Sequence, residues 1–156
     1  MTRRTLLSSG IAAALSPVLG WGASHSWNKI YYRGGTIPVR ADSFDYNATL
    51  TTSADAIVLE VGPPRHVLRL KPSQVTSLSQ GEEAHKRVAA VVALNAPAKP
   101  PALFGLMRAR SFRIGIVYQD ENGKPGAVLL EPILYVYSII LEDLKYATGK
   151  PVEGAP

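Results

Sequence analysis

The chain contains three histidines and no cysteine, which limits the chemistry it can carry out. Without a thiol there is no cysteine nucleophile, no disulfide and no cysteine ligand for zinc or an iron–sulfur cluster. The three histidines, His25, His66 and His85, do not form the two-histidine helical pair that binds a metal. Convergence of His66 and His85 with a carboxylate such as Asp120 remains open. We predict no metal ion and no cofactor.

The chain has two Gly-Lys pairs, which are candidates for phosphate binding, and several serines, which are candidate nucleophiles for hydrolysis. A phosphate-binding loop must follow a strand and open a helix. Gly123-Lys124 instead follows Asn122 in a predicted hairpin turn, and Gly149-Lys150 ends a predicted helix. No serine lies on the sharp glycine-flanked turn of a hydrolase. We therefore predict that the protein is not an enzyme, with a small enzyme that has an unrecognised site as the alternative.

The basic residues give the chain a formal net charge of +5. They are scattered, with no run of five or more, whereas nucleic-acid-binding domains usually concentrate them in one stripe. Arg3 and Arg4 carry two of these charges, so the rest of the chain is only mildly basic. This distribution predicts a solvated surface and no nucleic-acid partner.

Residues 1–24 have the composition of an export signal. The charged pair Arg3-Arg4 precedes a weakly apolar stretch, and small residues follow it up to Ser24. The pair is similar to a twin-arginine signal, with general secretion as the alternative. We expect cleavage after Ser24 or after Gly22 and a periplasmic or extracellular destination. Serine, glycine and Pro17 interrupt the apolar stretch, so we predict no stable membrane anchor, which would need about 18 to 20 apolar residues.

A single domain is predicted over residues 25–150, followed by a flexible tail at 151–156. Apolar segments between turn residues predict seven strands, at residues 27–32, 48–52, 56–61, 66–70, 74–79, 110–119 and 127–130. A tight hairpin turn is predicted at residues 53–55. The alternation in residues 110–119 places Phe112, Ile114, Ile116 and Tyr118 on one face. Residues 82–94 fit either a helix or a buried strand. A final helix starting near Pro132 is indicated by apolar residues at helical spacing, and Gly149 is predicted to end it. These apolar residues are Ile133, Tyr137, Ile140, Leu141 and Leu144.

Seven strands followed by one amphipathic helix is an order that resembles the pleckstrin-homology and GRAM-like barrels, over roughly residues 27–150. The resemblance implies a mainly β fold with helix, in which a seven-stranded bent antiparallel sheet or barrel is capped by the C-terminal helix. Several short motifs also look like those of small exported bacterial proteins of unknown function. They are Tyr32-Arg33-Gly34-Gly35-Thr36, Leu103-Phe104-Gly105, Ile114-Gly115-Ile116 with the following Tyr118, Asp120 and Gly123-Lys124, and Leu144 with the following Thr148-Gly149-Lys150.

The resemblance implies a binding or scaffold module, because most domains of this architecture bind proteins or peptides. We expect recognition through the loops or through an exposed sheet edge, where a partner strand can add main-chain hydrogen bonds. In lipid-binding members, basic residues near the first hairpin hold phosphates. Lys29, Arg33, Arg40 and Arg69 are the corresponding candidates here, so an envelope lipid head group is the alternative ligand.

Tyrosines are a further candidate for a contact surface. Tyr135 and Tyr146 form an outward patch if they fall outside the buried stripe of the last helix. In the alternative, most of the aromatic residues pack inside the domain.

Overall fold

A computed structural model describes residues 24–40, 45–95 and 112–156 of the chain. The predicted export signal with Arg3 and Arg4, and the Leu103-Phe104-Gly105 motif, lie outside the described residues. The described part contains eight strands, two α-helices and one 3-10 turn at Pro72–Gln74. The strands are β1 (His25–Gly35), β2 (Ala48–Thr52), β3 (Ile57–Val61), β4 (His66–Leu70), β5 (Val75–Gln80), β6 (Ile114–Gln119), β7 (Pro125–Pro132) and β8 (Val152–Glu153). The helices are α1 (Gly81–Asn95) and α2 (Leu134–Thr148).

All eight strands belong to one open sheet, in the order β4-β3-β2-β1-β7-β6-β5-β8. The mainly β class with helix is therefore as predicted, but the strand number and type of sheet are not. The prediction was seven antiparallel strands, and the eighth, β8, pairs in parallel with β5. It is only two residues long, too short to show the alternation by which a strand is recognised in a sequence. This strand lies within the segment that was predicted to be a flexible tail.

The first hairpins follow the alternation of their sequence. β2 pairs with β3 from Ala48↔Val61 to Thr52↔Ile57, and β3 pairs with β4 in unbroken register. In β2 and β3 every second residue is buried. The predicted turn at residues 53–55 joins them, where the Ser53 amide donates to the Ala56 carbonyl over 2.9 Å. The hairpin prediction is confirmed.

Two cores lie on opposite faces of the sheet. The larger core includes residues from β1 to β7 and the inner side of α2, and we call this side of the sheet the α2 face. Ile114, Ile116 and Tyr118 of β6 point to it, as predicted from their spacing. The smaller core lies between α1 and the other side, the α1 face, where Val88 packs with Leu129.

The ambiguous segment at residues 82–94 is helical. Its apolar residues Ala84, Val88 and Val91 are spaced to form one helical stripe, and all three are buried against β6 and β7. Glu82 and Glu83 lie in the first turn, where negative carboxylates stabilise a helix by interacting with the positive end of its dipole. These features select helix over strand.

Helix α2 begins later than predicted. Pro132, expected in its first turn, is the last residue of β7 and pairs with Ile30. Ile133 is the extended N-cap residue and is only half-buried, so it does not belong to the buried stripe. The other four predicted stripe residues are buried, and the Gly149 amide closes the helix by donating to the Lys145 carbonyl over 2.8 Å.

Candidate functional site

A cleft of about 520 Å³ opens at one end of the sheet, where β1, β6 and α1 end and β7 begins. Leu68 of β4 lines its apolar side, and Val92 lies in its wall from the last turn of α1. The remaining lining residues are Gly35, Thr36, Asn95, Tyr118, Asp120, Lys124, Pro125 and Gly126. The cleft is therefore lined by both apolar and polar groups, and we call its polar lining residues, which include Asn95, Asp120 and Lys124, the polar rim.

Tyr118 is fixed in the cleft by the strand next to it. A side chain at position 126 would collide with the Tyr118 ring, so glycine there allows the ring to lie against the backbone of β7. The Tyr118 hydroxyl lies 3.2 Å from Thr36 Oγ1, and the Ala127 amide donates to the same Oγ1 over 3.1 Å. Burial raises the pKa of Tyr118, and the hydrogen bond with Thr36 opposes this rise. The phenol thus stays neutral, as a hydrogen-bonding group at neutral pH.

The polar rim is held by side-chain hydrogen bonds to the backbone. Asp120 Oδ1 accepts from the Asn122 and Lys124 amides over 2.8 and 2.9 Å, which shapes the predicted hairpin turn. Gly123 has a φ of +80°, the left-handed conformation that favours glycine. Asn95 Nδ2 donates to the Pro125 carbonyl over 3.0 Å and so joins the end of α1 to β7. One oxygen of the Asp120 carboxylate is therefore engaged in hydrogen bonds within the turn, whereas the Lys124 side chain is exposed at the rim.

The cleft adjoins an edge of the sheet at β4. Among the described strands β4 pairs with β3 alone and is one of the two outermost strands, the other being the short β8. Val67 and Arg69 are exposed on it, and Leu68 between them points to the α2 face and into the cleft. Leu68 is thus shared by the strand edge and the cleft.

The four basic residues predicted to contact an anion do not form one cluster: Lys29 and Arg33 lie in β1, Arg69 lies in β4, and Arg40 follows β1 outside the strands. Lys29 and Arg40 are exposed, and Arg33 is buried in β1. Arg69 shares a cross-strand row with Val58, Thr51 and Ser26, so three strand spacings, about 14 Å in all, separate it from β1. Arg33 lies a further seven residues along β1, which adds about 20 Å. The structure does not bring Arg33 and Arg69 together.

Arg33 is instead part of a polar cluster on the α1 face. Its Nε donates to Glu131 Oε1 over 3.2 Å, and the buried Arg113 donates to the same oxygen over 3.0 Å. The Arg33 guanidinium also lies 4.3 Å from the ring centre of Tyr31. Burial alone would raise the pKa of Glu131, but the hydrogen bonds and positive charges of the two arginines hold it below its usual value. The cluster links β1, β7 and β6 and has the character of a structural contact.

The histidines occupy three separate settings. His25 Nδ1 lies 2.6 Å from Asp143 Oδ2 at the surface, and His66 is half-buried at the start of β4. His85 lies on α1, where burial, followed by the positive charge of Arg113, lowers its pKa. Over residues 24–40, 45–95 and 112–156, no group of three or more histidine, aspartate or glutamate residues could hold a metal ion.

Comparison with protein-family models and with curated proteins finds no match to this chain. None of the helices in the described residues is both long enough and apolar enough to cross a membrane.

Sequence reasoning did not predict that these residues form one cleft. Thr36, Tyr118 and Asp120 occur in the motifs of the resemblance, and Leu68 lies in a predicted strand. Asp120 is also the carboxylate named with His66 and His85, which the structure does not place in the cleft. The association of the cleft residues depends on pairing between distant segments, which periodicity does not report. The signal that was available is Gly126, a glycine at the start of a return strand, since an isolated glycine in a strand often marks a close approach of another group.

Proposed function

We propose that the chain is an exported, non-enzymatic binding module that recognises an extended peptide or protein segment along β4. The partner strand pairs with the open edge of β4 and places one side chain in the adjoining cleft. The observation that carries the proposal is that Leu68 belongs to both features. Export rests on the arginine pair and the apolar stretch at the start of the sequence.

The edge of β4 has the length that strand addition requires. Its five residues span about 17 Å, and an outermost strand presents main-chain amides and carbonyls to a partner. The opposite edge of the sheet differs, because its outermost strand, β8, is only two residues long. Recognition by strand addition therefore has one favoured site in the described sheet, at β4.

The side chains on β4 supply selectivity. Arg69 and Val67 alternate with Leu68, so a strand added to β4 lies beside a cation and an apolar group on one face. On the other face its side chain meets Leu68 and the polar rim of the cleft. The preferred partner is an extended segment with an apolar side chain for the cleft and an acidic one beside Arg69.

The pleckstrin-homology-like architecture remains part of this proposal. Seven strands precede α2, and the buried side of that helix packs into the core that β1 to β7 share. This arrangement supports a bent sheet with a capping helix, although the sheet is open and has an eighth strand.

A peptide selection tests the proposal. The purified chain is screened against a displayed library of random peptides, and the selected peptide is measured by fluorescence anisotropy. N-methylation of each peptide amide in turn should weaken binding at every second residue, because alternate amides of a strand face its neighbour. Strand addition would be contradicted if N-methylation weakened binding without that alternation. It would also be contradicted if the bound peptide slowed hydrogen exchange in a part of the chain away from β4.

Variants of the two sheet edges provide the matched control. Leu68→Ala removes apolar contact in the cleft and should weaken peptide binding about tenfold, the usual effect of one such contact. Val152→Ala, at the opposite edge, should leave the affinity unchanged. Circular dichroism establishes that both variants are folded. Equal effects of the two substitutions would place the peptide elsewhere.

A further inference from the structure

Another pocket, of about 360 Å³, lies on the side of β2 and β3 that faces solvent. Thr49 of β2 and Glu60 of β3 are paired across the strands and both line it. Tyr46, which precedes β2, and Arg65, between β3 and β4, line it as well. The remaining lining residues are Asn28, Asn47, Ala48, Val61, Gly62 and Pro63. We call this site the β2–β3 pocket. Its volume is at the lower end of the range of about 300 to 1,000 Å³ that is usual for small-molecule sites.

Tyr46 supplies the aromatic wall of the β2–β3 pocket. Its side chain is 46% exposed. The Tyr31 ring supports it, with the two ring centres 4.6 Å apart and the planes tilted by 39°. Tyr31 is not one of the lining residues, so it contacts Tyr46 from outside the pocket. The Tyr46 ring is therefore held in place and is partly open to a ligand.

A β-bulge in β1 places Asn28 at the pocket. From Trp27 to Ile30, β1 has one residue more than the facing part of β2, from Leu50 to Ala48. Asn28 lies in this bulge, and its side chain is exposed. Bulges redirect side chains and are frequent next to functional sites.

Several polar groups of the pocket are available to a ligand. Among the described residues, the side chains of Asn28 and Thr49 have no hydrogen-bond partner. Asn47 uses only its Oδ1, which accepts from the Tyr32 amide over 2.8 Å, so its Nδ2 can still donate. The pocket thus offers two side-chain amides and one hydroxyl, which together can both donate and accept.

The charges in the pocket balance each other. Arg65 Nε and Nη2 donate to the two carboxylate oxygens of Glu60 over 2.9 and 3.2 Å. An anionic ligand would therefore meet the Glu60 carboxylate, and a cationic one would meet the Arg65 guanidinium. This arrangement favours an uncharged ligand.

The main chain in the floor of the pocket is already paired. Strand β2 lies between β1 and β3 and pairs with both. A peptide strand cannot add to β2, so a ligand here is recognised by side chains. An uncharged ligand with many hydroxyl groups and an apolar face meets all these conditions. Sugars have that chemistry, because the C–H groups on one side of the ring can pack on an aromatic ring while each hydroxyl both donates and accepts.

We propose that the β2–β3 pocket binds an uncharged carbohydrate, with one sugar ring packed on Tyr46. The pocket shares no lining residue with the cleft, and none of its lining residues belongs to β4. Carbohydrate binding and peptide recognition can therefore be tested, and can fail, independently.

A glycan array tests the proposal. The full chain is applied to neutral hexose and N-acetylhexosamine oligosaccharides and to acidic glycans that carry uronic or sialic acid. Neutral glycans should be retained, and the affinity for the best of them is measured by isothermal titration calorimetry.

Variants of two exposed tyrosines separate the pocket from the rest of the surface. Tyr46→Ala should weaken binding of that glycan about tenfold, because the packing on the ring is lost. Tyr46→Phe keeps the ring and should keep most of the affinity. The matched control is Tyr135→Ala on α2, which removes a side chain that is 73% exposed and should leave the affinity unchanged.

The polar groups have their own variants. Asn28→Ala and Thr49→Val should each weaken binding about three- to tenfold, the effect of one lost hydrogen bond. Raising sodium chloride from about 0.05 to 0.5 M should leave the affinity unchanged, because an uncharged ligand has no charge to screen. Circular dichroism checks that each variant is folded.

Three results would overturn the proposal. The first is an array on which no neutral glycan is retained. The second is an equal affinity of Tyr46→Ala and Tyr135→Ala for the glycan. The third is a preference for acidic glycans that high salt abolishes, which would assign the binding to surface charge instead.

Discussion

Strands β2, β3 and β4 have buried side chains only on the α2 face, whereas β6 and β7 have buried side chains on both faces. In β2 and β3 buried and half-buried residues alternate, and the other side of these strands meets solvent. In β7 five consecutive residues, Gly126 to Leu130, are buried, because α1 and the α2-face core enclose the strand. The half of the sheet formed by β2, β3 and β4 thus has one face in contact with solvent, whereas the half formed by β6 and β7 is enclosed on both faces.

The two halves contribute different parts of the cleft and of the sheet edge. The enclosed half fixes Tyr118, Gly126 and the hairpin turn, which form one wall of the cleft. The solvent-exposed half, β2 to β4, supplies Leu68 and the open edge of β4. In the proposed strand addition, the partner pairs with the main chain of β4 and lies next to the wall that the enclosed half forms.

The largest expected effect is in the enclosed half. Leu129 is fully buried on the α1 face, so Leu129→Ala should lower the free energy of unfolding by about 2 to 5 kcal/mol. Val67→Ala, on the exposed face of β4, should change it by less than about 0.5 kcal/mol. Urea denaturation measures both. Equal losses would mean that the two halves of the sheet are packed alike.

Glu131 gives the next largest effect and a dependence on pH. Glu131→Gln should cost about 2 kcal/mol at neutral pH, less than a fully buried ion pair, because the Glu131 side chain is 24% exposed. The folded-state pKa of Glu131 is depressed, so its contribution is complete above the unfolded-state pKa of about 4.3 and is lost as the pH falls through the folded value.

Unfolding by urea from neutral to acid pH measures this dependence. The unmodified chain should lose more stability on acidification than Glu131→Gln does. The control is Glu60→Gln in the other half of the sheet, where the Glu60–Arg65 ion pair is exposed. That substitution should have a smaller effect. An equal response of the two variants would remove the contrast between an enclosed and a solvated carboxylate.

The smallest expected effect concerns the strand that covers β5. Arg87 of α1 lies 2.7 Å from both Glu83 and Glu153, and so joins the helix to β8. Arg87→Ala should cost about 0.2 to 1 kcal/mol, as exposed ion pairs do, and should speed hydrogen exchange at Val152. Lys86→Ala breaks only the looser contact with Glu82, at 3.9 Å, and should not affect β8. Exchange at Val152 that is the same in both variants would show that β8 does not depend on Arg87.

Sequence reasoning succeeded where a local pattern determines the structure. The alternation in β2 and β3, the Asn122-Gly123 turn and the Gly149 helix end all act within a few residues. It failed to choose between helix and strand at residues 82–94, because consecutive apolar residues fit a buried segment of either kind. The contacts of Ala84 and Val88 with β7, more than thirty residues later, resolve that choice.

The candidate site was less accessible to sequence reasoning than the fold. Arg33 was predicted as an anion contact from its position near the first hairpin, yet its ion pair is with Glu131, 98 residues away. Glu131 gave no signal, because one acidic residue at the end of an apolar strand normally reaches solvent. The exposure of Tyr135 and Tyr146 agrees with one of the two predicted arrangements, since helical spacing is local.

The parallel pair β5–β8 also affects the timing of folding during synthesis. Gln80 donates to the Gly154 carbonyl, and the two residues are 74 positions apart. Helix α1, the β6–β7 hairpin and helix α2 are all translated before β8 can reach β5. Pairings over such a distance form slowly. The β8-facing edge of β5 is therefore uncovered in the nascent chain for longer than the edges that pair within the hairpins β2–β3, β3–β4 and β6–β7. This is the interval in which a chaperone or another nascent chain could bind it.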